Sequence, residues 1–183
     1  MDRRPDFSHG LIHLTKETED TSAFEVLKII LNEEKIKASG RKGFIKGGHK
    51  AACLSEIPLA ALKDFAQPAG GVEKTRYRPY GILFSKRAIF EAGGRPVIYL
   101  PDDEAEWIPE EERWRHVRFE HDKVDWTHER EWRVHGDIDL TDVPGLYVLV
   151  WTATEAKEIT NLKGAIQKKI RGVLPLEHLM QFL

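Results

Sequence analysis

The densest group of reactive side chains is Thr127-His128-Glu129-Arg130-Glu131-Trp132-Arg133-Val134. Read as an extended segment, it places Glu129, Glu131 and Arg133 on one face and Trp132 and Val134 on the other. The apolar pair then packs inward, and two carboxylates with a guanidinium face a cleft or water. A carboxylate beside an arginine stays ionised. An ionised Glu can stabilise a cationic, sugar-like transition state or bind a ribose hydroxyl. A surface salt-bridge ladder fits the same pattern, and the residues alone leave both open.

Other chemistries are less well served. The motif H-E-x-x-H needs a second histidine four residues after His128, and Trp132 stands there. The single cysteine, Cys53, excludes an intramolecular disulfide and any multi-cysteine metal site. It lies in the apolar run Ala51-Ala52-Cys53-Leu54-Ser55, which reads as a buried, inert thiol rather than a nucleophile. His13 sits in a second apolar run, Leu11-Ile12-His13-Leu14-Thr15. A satisfied core histidine is the plain reading, and hydrogen bonding to a ribose or amide is the functional one. Ser85 and Lys86 can add phosphate contacts. No G-x-G-x-x-G, G-x-x-x-x-G-K-[ST] or G-x-S-x-G occurs, so dinucleotide-fold, P-loop and nucleophile-elbow readings fail.

The elements that must position these groups follow from the patterning. Leu11–Thr15 predicts a strand. Ser22-Ala23-Phe24-Glu25 has the form of a capping box, and Phe24, Leu27, Ile30 and Leu31 continue it at helical spacing, predicting a helix over 22–35. Further strands are expected at 51–55, 80–85, 96–100, 116–119 and 145–151. Short helices are expected at 59–65, 86–92 and 153–161, and a loop at 67–71. Many short strands without regular strand–helix alternation predict an α+β fold. No repeat or low-complexity linker divides the chain, so one domain over 1–183 is expected.

Charge is unevenly spread. The 183 residues carry 28 Lys+Arg and 30 Asp+Glu, which excludes a protein basic all over. Six of the 28 bases lie in the glycine-rich stretch 35–50, which has no acid, leaving 22 against 30 elsewhere. That loop is either a solvated connector or a contact for phosphates of a nucleotide or nucleic acid. Seven acids fall between Asp102 and Glu112, where an exposed loop or helix face is expected. No apolar run is long enough to span a membrane, and no signal-peptide core follows the N-terminal charges, so a cytoplasmic location is expected.

The series Leu11-Ile12-His13-Leu14-Thr15, Cys53-Leu54-Ser55-Glu56-Ile57-Pro58, Tyr80-Gly81-Ile82-Leu83-Phe84-Ser85-Lys86, Pro96-Val97-Ile98-Tyr99 and Glu129-Arg130-Glu131-Trp132-Arg133-Val134 resembles the AbiGi-type abortive-phage-resistance family and its relatives of unknown function. That family has been labelled antitoxin. The resemblance covers roughly residues 11–140. More distantly, the series is similar to DarT-like ADP-ribosyltransferases, which open with a His-x-Thr strand and end with a catalytic Glu on a late strand.

The second resemblance implies two facing β-sheets with a cleft, NAD as substrate and no metal. It implies Glu131 as catalytic carboxylate, with Glu129 completing an E-x-E pair. His13 and Thr15 would contact NAD, and Ser55 would take the place of a second-strand serine. Tyr80, Phe84, Ser85 and Arg133 complete the implied cofactor-contacting set. The arginine that grips NAD in those enzymes has no clear counterpart, Arg41 and Arg87 being the candidates.

Three functional classes follow. The first is an NAD-dependent ADP-ribosyltransferase or NAD glycohydrolase of a phage-defence or toxin–antitoxin system. The second is a non-catalytic, antitoxin-like protein of the same fold, which binds nucleic acid or a cognate protein through the 35–50 loop. The third is a metal-dependent nuclease built on Asp125, Glu129 and Glu131, weakened by Arg133 standing where a lysine belongs.

Overall fold

The computed structural model describes residues 8–41, 44–66 and 77–182. The loop expected at 67–71, and Lys42 and Gly43 of the basic stretch, lie outside them. The order is strand β1 (Gly10–Leu14), helix α1 (Ala23–Asn32), β2 (Lys35–Ile36), β3 (Ala51–Ser55), α2 (Leu62–Phe65), β4 (Gly81–Ser85), α3 (Lys86–Glu91), β5 (Arg95–Pro96), β6 (Ile98–Leu100), β7 (His116–Arg118), β8 (Glu131–His135), β9 (Ile138–Asp139), β10 (Leu146–Val150), α4 (Ala153–Thr160), β11 (Ile170–Pro175) and α5 (Leu176–Leu179). The class is α+β.

Seven strands make the central sheet in the order β11-β10-β4-β1-β3-β8-β5, and β2-β9 and β6-β7 form two small pairs. All pairings in the large sheet are antiparallel except β10-β11. The sheet is not uniformly zipped. β1 pairs with β4 through five registered residues, and β3 with β8 through four, but β1 and β3 share only Ile12↔Ser55. Two halves, one mixed and one antiparallel, therefore meet at a seam between β1 and β3.

Register assigns the faces. Leu11, Leu54, Ile82, Phe84, Trp132, Val134 and Val148 share one face, together with α1, α3 and α4, and form the largest apolar cluster. Ser22 accepts from the Glu25 N–H at 3.2 Å and so starts α1, but the expected capping box is only half made, since the Glu25 carboxylate pairs with Lys28 at 2.6 Å. Leu27 and Leu31 of that helix are fully buried, each contributing about 1.5–3 kcal/mol. The helix stops at Asn32, short of the expected residue 35. Glu34 turns left-handed (φ 54°), its carboxylate accepts from the Ile166 N–H at 2.9 Å, and the chain enters β2.

The other face carries two separate clusters. Ile12, Leu14, Leu62, Ala66, Leu149 and Leu176 form one; Ile45, Ala51 and Trp114 form the second. The polar row Ser55, Cys53, Glu131 and Arg133 belongs to this face by register.

Candidate functional site

The seam is the natural starting point. Thr15 N–H bonds the Tyr80 carbonyl of the β4 side, so the odd residues of β1 face β4 and the even ones face β3. A regular ladder would therefore place its next rung at Leu14 and Cys53, and that pair is absent. In its place, His13 Nδ1 lies 2.9 Å from the Cys53 carbonyl oxygen. A carbonyl only accepts, so Nδ1 carries the proton and Nε2 keeps its lone pair. Burial lowers the His13 pKa below its ordinary 6.5, and the bond to Cys53 opposes this more weakly. The ring is a neutral, oriented imidazole at the seam.

One strand further on, Glu131 opens β8 directly opposite Ser55. Arg133 lies two residues along the same strand and hence on the same face. Its Nε donates to Glu131 Oε1 at 2.8 Å and its Nη2 to Oε2 at 3.2 Å. Nη1 donates to the Trp114 carbonyl at 2.5 Å and to the His116 carbonyl at 3.3 Å. The two side chains are only 3% (Arg133) and 11% (Glu131) exposed. Cys53, opposite Arg133, has its thiol pushed up to about 12, first by burial and then by the Glu131 carboxylate, against an opposing pull from Arg133. It is a protonated thiol, as its apolar strand suggests. Tyr99 adds a fixed hydroxyl: it accepts from the Glu131 N–H at 3.1 Å and donates to the Trp126 carbonyl at 3.2 Å.

The implied NAD-contacting set is divided. Ser55, Glu131 and Arg133 share one face, while His13 and Thr15 belong to the other, His13 alone reaching the seam. Thr15 is buried, and its hydroxyl donates to the Ala23 carbonyl at 2.9 Å, tying β1 to the start of α1. Phe84 is 1% exposed within the core, so it has no surface for a ligand. Tyr80 donates its hydroxyl to Glu155 Oε1 at 2.8 Å, which with burial raises its pKa. Ser85 is exposed at the start of α3. Arg133 is committed to Glu131 and two carbonyls, so it ties the site together rather than gripping phosphate. Of the two arginine candidates, Arg87 pairs with Glu91 at 2.8 Å on the exposed side of α3, and Arg41 is exposed.

The extended reading of 127–134 holds only from Glu131. Thr127–Glu129 is a 3-10 turn, and Arg130 is left-handed (φ 44°, ψ 50°). Glu129 and Glu131 are therefore not alternate residues of one strand. Glu129 is 8% exposed and does not present an E-x-E pair to solvent. Asp125, just before this turn, accepts from the Thr127 hydroxyl at 2.5 Å and from the Thr127 N–H at 2.8 Å, which holds its pKa low. Among the described residues no three His, Cys, Asp or Glu side chains group as metal ligands, so the nuclease reading loses its carboxylate cluster.

Among its described residues the basic stretch is partly engaged with acids. Lys46 pairs with Asp102, Lys37 with Glu33 at 2.7 Å, and the Gly48 N–H with Glu110 Oε1 at 3.2 Å. Loop and acidic stretch meet around a small cleft lined by Lys46, Gly47, Asp102, Glu106, Arg113 and His116. All the acids of this stretch but the half-buried Glu112 stand exposed, as expected, while Ala105, Ile108 and, just beyond it, Trp114 are buried beneath them. Phe44 stands out of the loop, 77% exposed.

One residue of the resembling series, Glu56, has no part in the implied site. Glu56 is 6% exposed. Its Oε2 accepts from Trp132 Nε1 at 2.9 Å, and its Oε1 meets Lys86 Nζ at 2.7 Å and Arg130 Nη2 at 3.3 Å. An acid set directly after a buried strand, in Leu54-Ser55-Glu56-Ile57, was the available signal. A buried carboxylate demands cationic partners.

Comparison of the chain with protein-family models, with curated proteins and with solved structures returned no match. Among the described residues no helix is long and apolar enough to cross a membrane.

Proposed function

We propose that the chain binds NAD across the seam between β1 and β3 and cleaves its nicotinamide–ribose bond, as an ADP-ribosyltransferase or NAD glycohydrolase of a phage-defence or toxin–antitoxin system. The observation that supports this reading is the sparse pairing of β1 with β3 through Ile12↔Ser55 alone, with the His13 ring bonded across to the Cys53 carbonyl and Ser55 on the facing strand. Glu131 stands beside Ser55 with its carboxylate oriented by Arg133. The seam lies within one seven-stranded sheet, whereas the resemblance implies two facing sheets.

The chemistry asks for little else. The C–N bond breaks with its electron pair passing to the nicotinamide ring, which becomes neutral. Positive charge develops on the ribose, and a carboxylate on that face stabilises it. Water or an acceptor nucleophile then forms the new bond and loses a proton. A neutral His13, with its Nε2 lone pair, can accept a hydrogen bond from a ribose hydroxyl.

A second reading is favoured by Thr15, Tyr80 and Arg133, whose polar groups are engaged inside the fold, and by the buried Phe84. On that reading the protein is antitoxin-like and non-catalytic, and the loop 35–50 with its exposed Phe44 meets nucleic acid or a cognate protein. Incubation with labelled NAD and panels of DNA, RNA and protein separates the two. Label transfer or nicotinamide release supports the first. Acceptor binding without turnover, and without an NAD-induced rise in melting temperature, supports the second.

A further inference from the structure

Glu56 meets the residues on either side of Glu131. Its side chain accepts from Trp132, the residue after Glu131, and contacts the guanidinium of Arg130, the residue before. Its own backbone N–H donates to the Arg130 carbonyl at 3.1 Å. These contacts come from the face opposite Glu131, because Trp132 alternates with Glu131 along β8 and pairs with Leu54, two residues before Glu56.

The residue so held is an unusual one. Arg130 has φ 44° and ψ 50°, a left-handed conformation that costs a non-glycine residue about 1–2 kcal/mol and persists only where its surroundings enforce it. It is the hinge between the 3-10 turn of 127–129 and the strand that begins at Glu131. A change in its torsions would swing Glu131 away from Ser55. Lys86 completes the arrangement, its ammonium 2.7 Å from Glu56 Oε1 and 5.3 Å from the centre of the Trp132 ring. The carboxylate is thus charge-paired while it holds both neighbours of Glu131.

We infer that Glu56 is a positioning residue, which fixes the left-handed turn at Arg130 and so sets where the backbone delivers Glu131, whose carboxylate Arg133 then orients. This rests on the reading of Glu131 as the catalytic group. It adds that the acid following Ser55 acts from behind the sheet, without touching substrate. Glycine adopts the left-handed region without side-chain help, so Arg130→Gly supplies a test of position rather than charge.

The experiment compares wild type, Glu56→Gln, Glu56→Ala and the double variant Glu56→Ala/Arg130→Gly. It reads nicotinamide release from NAD, the melting temperature, and amide hydrogen exchange over 129–133. The expected result is a kcat about tenfold or more lower in Glu56→Ala with KM nearly unchanged. Faster exchange at 130–132 accompanies it, and the double variant partly recovers both. Wild-type kcat and unchanged exchange in both Glu56 variants would overturn the inference. So would a loss that follows the melting temperature alone and is not relieved by Arg130→Gly. Absence of nicotinamide release from the wild type would be a failure of the NAD reading instead. The exchange arm then decides by itself: faster exchange confined to 130–132 in Glu56→Ala supports the positioning role, and unchanged exchange rejects it.

Discussion

His13 Nδ1 sits 2.9 Å from the carbonyl oxygen of Cys53, in place of the backbone rung that Leu14 would have made. A side chain thus bridges the most sparsely paired line of the central sheet. The bond fixes the tautomer of His13 and satisfies a carbonyl that the seam would otherwise leave unmade.

Burial of the His13 ring at this seam gives stability a defined pH dependence, which the bond to Cys53 only moderates. Burial lowers the pKa of His13, and of His116, below the ordinary 6.5. As pH falls through 6.5 the unfolded chain takes up protons that the folded one resists, so stability falls with pH. Above 6.5 the contribution is full and flat. The carboxylates held low, Asp102, Asp125 and Asp139, start from an ordinary 3.8 and lose their contribution in a lower window. Melting temperatures from pH 8 to pH 5 should decline below about 6.5, and His13→Asn should reduce that slope. An identical slope in the variant would contradict the assignment.

Cys53 should resist thiol reagents at neutral pH. With its pKa near 12, thiolate is scarce. Glu131 contributes to that rise, so Glu131→Gln should speed alkylation of the folded protein while Arg133 remains in place. A slower reaction in the variant would show that the two side chains are not electrostatically coupled.

Arg133 ties β8 to the carbonyls of Trp114 and His116 as well as to Glu131. Lysine lacks the planar fork that serves all of these together. Arg133→Met should cost about 3–5 kcal/mol by leaving buried acceptors unpaired, and Arg133→Lys should recover only part of it. Urea denaturation measures both. A loss near zero for Arg133→Met would mean that these bonds carry no net stability.

Gly81 leaves room for the backbone behind His13. A Cβ there would lie 2.4 Å from the His13 carbonyl oxygen and 3.2 Å from Leu14 Cα. Gly81→Ala should therefore push β1 and β4 apart, at a cost of about 1–3 kcal/mol or more. Because β1 is one lip of the seam, NAD cleavage should fall further than stability does. A variant as stable and as active as wild type would contradict the packing described.

What the sequence made legible was local. The apolar runs at 11–14, 51–55, 81–85 and 146–150 became strands because alternation and β-branched content act over a few residues. Ser22 and Glu25 marked α1 because a cap is a contact three residues long. The pairing of strands was not legible. Nothing in Ile12 or Ser55 announces that they form the one rung between two half-sheets. Nor does Glu129-x-Glu131 announce a left-handed Arg130 between them; simple alternation gave both acids one face, and the turn removes Glu129 from it. Glu56 passed as the end of a strand because its partners, Lys86, Arg130 and Trp132, lie 30 to 76 positions away along the chain. Thr15, Tyr80 and Arg133 carried the right chemistry for a ligand, but the fold uses it internally.

The most direct test of the central claim is nicotinamide release from NAD at neutral pH by wild type and Glu131→Gln, each shown to be folded by its melting curve. Turnover by the wild type is expected, with a loss of about a hundredfold or more in the variant, the scale of removing one stabilising group from a transition state. Equal release by both proteins would contradict the role of Glu131. No release by the wild type, with no rise in its melting temperature at millimolar NAD, would contradict the claim that the seam between β1 and β3 is an NAD site.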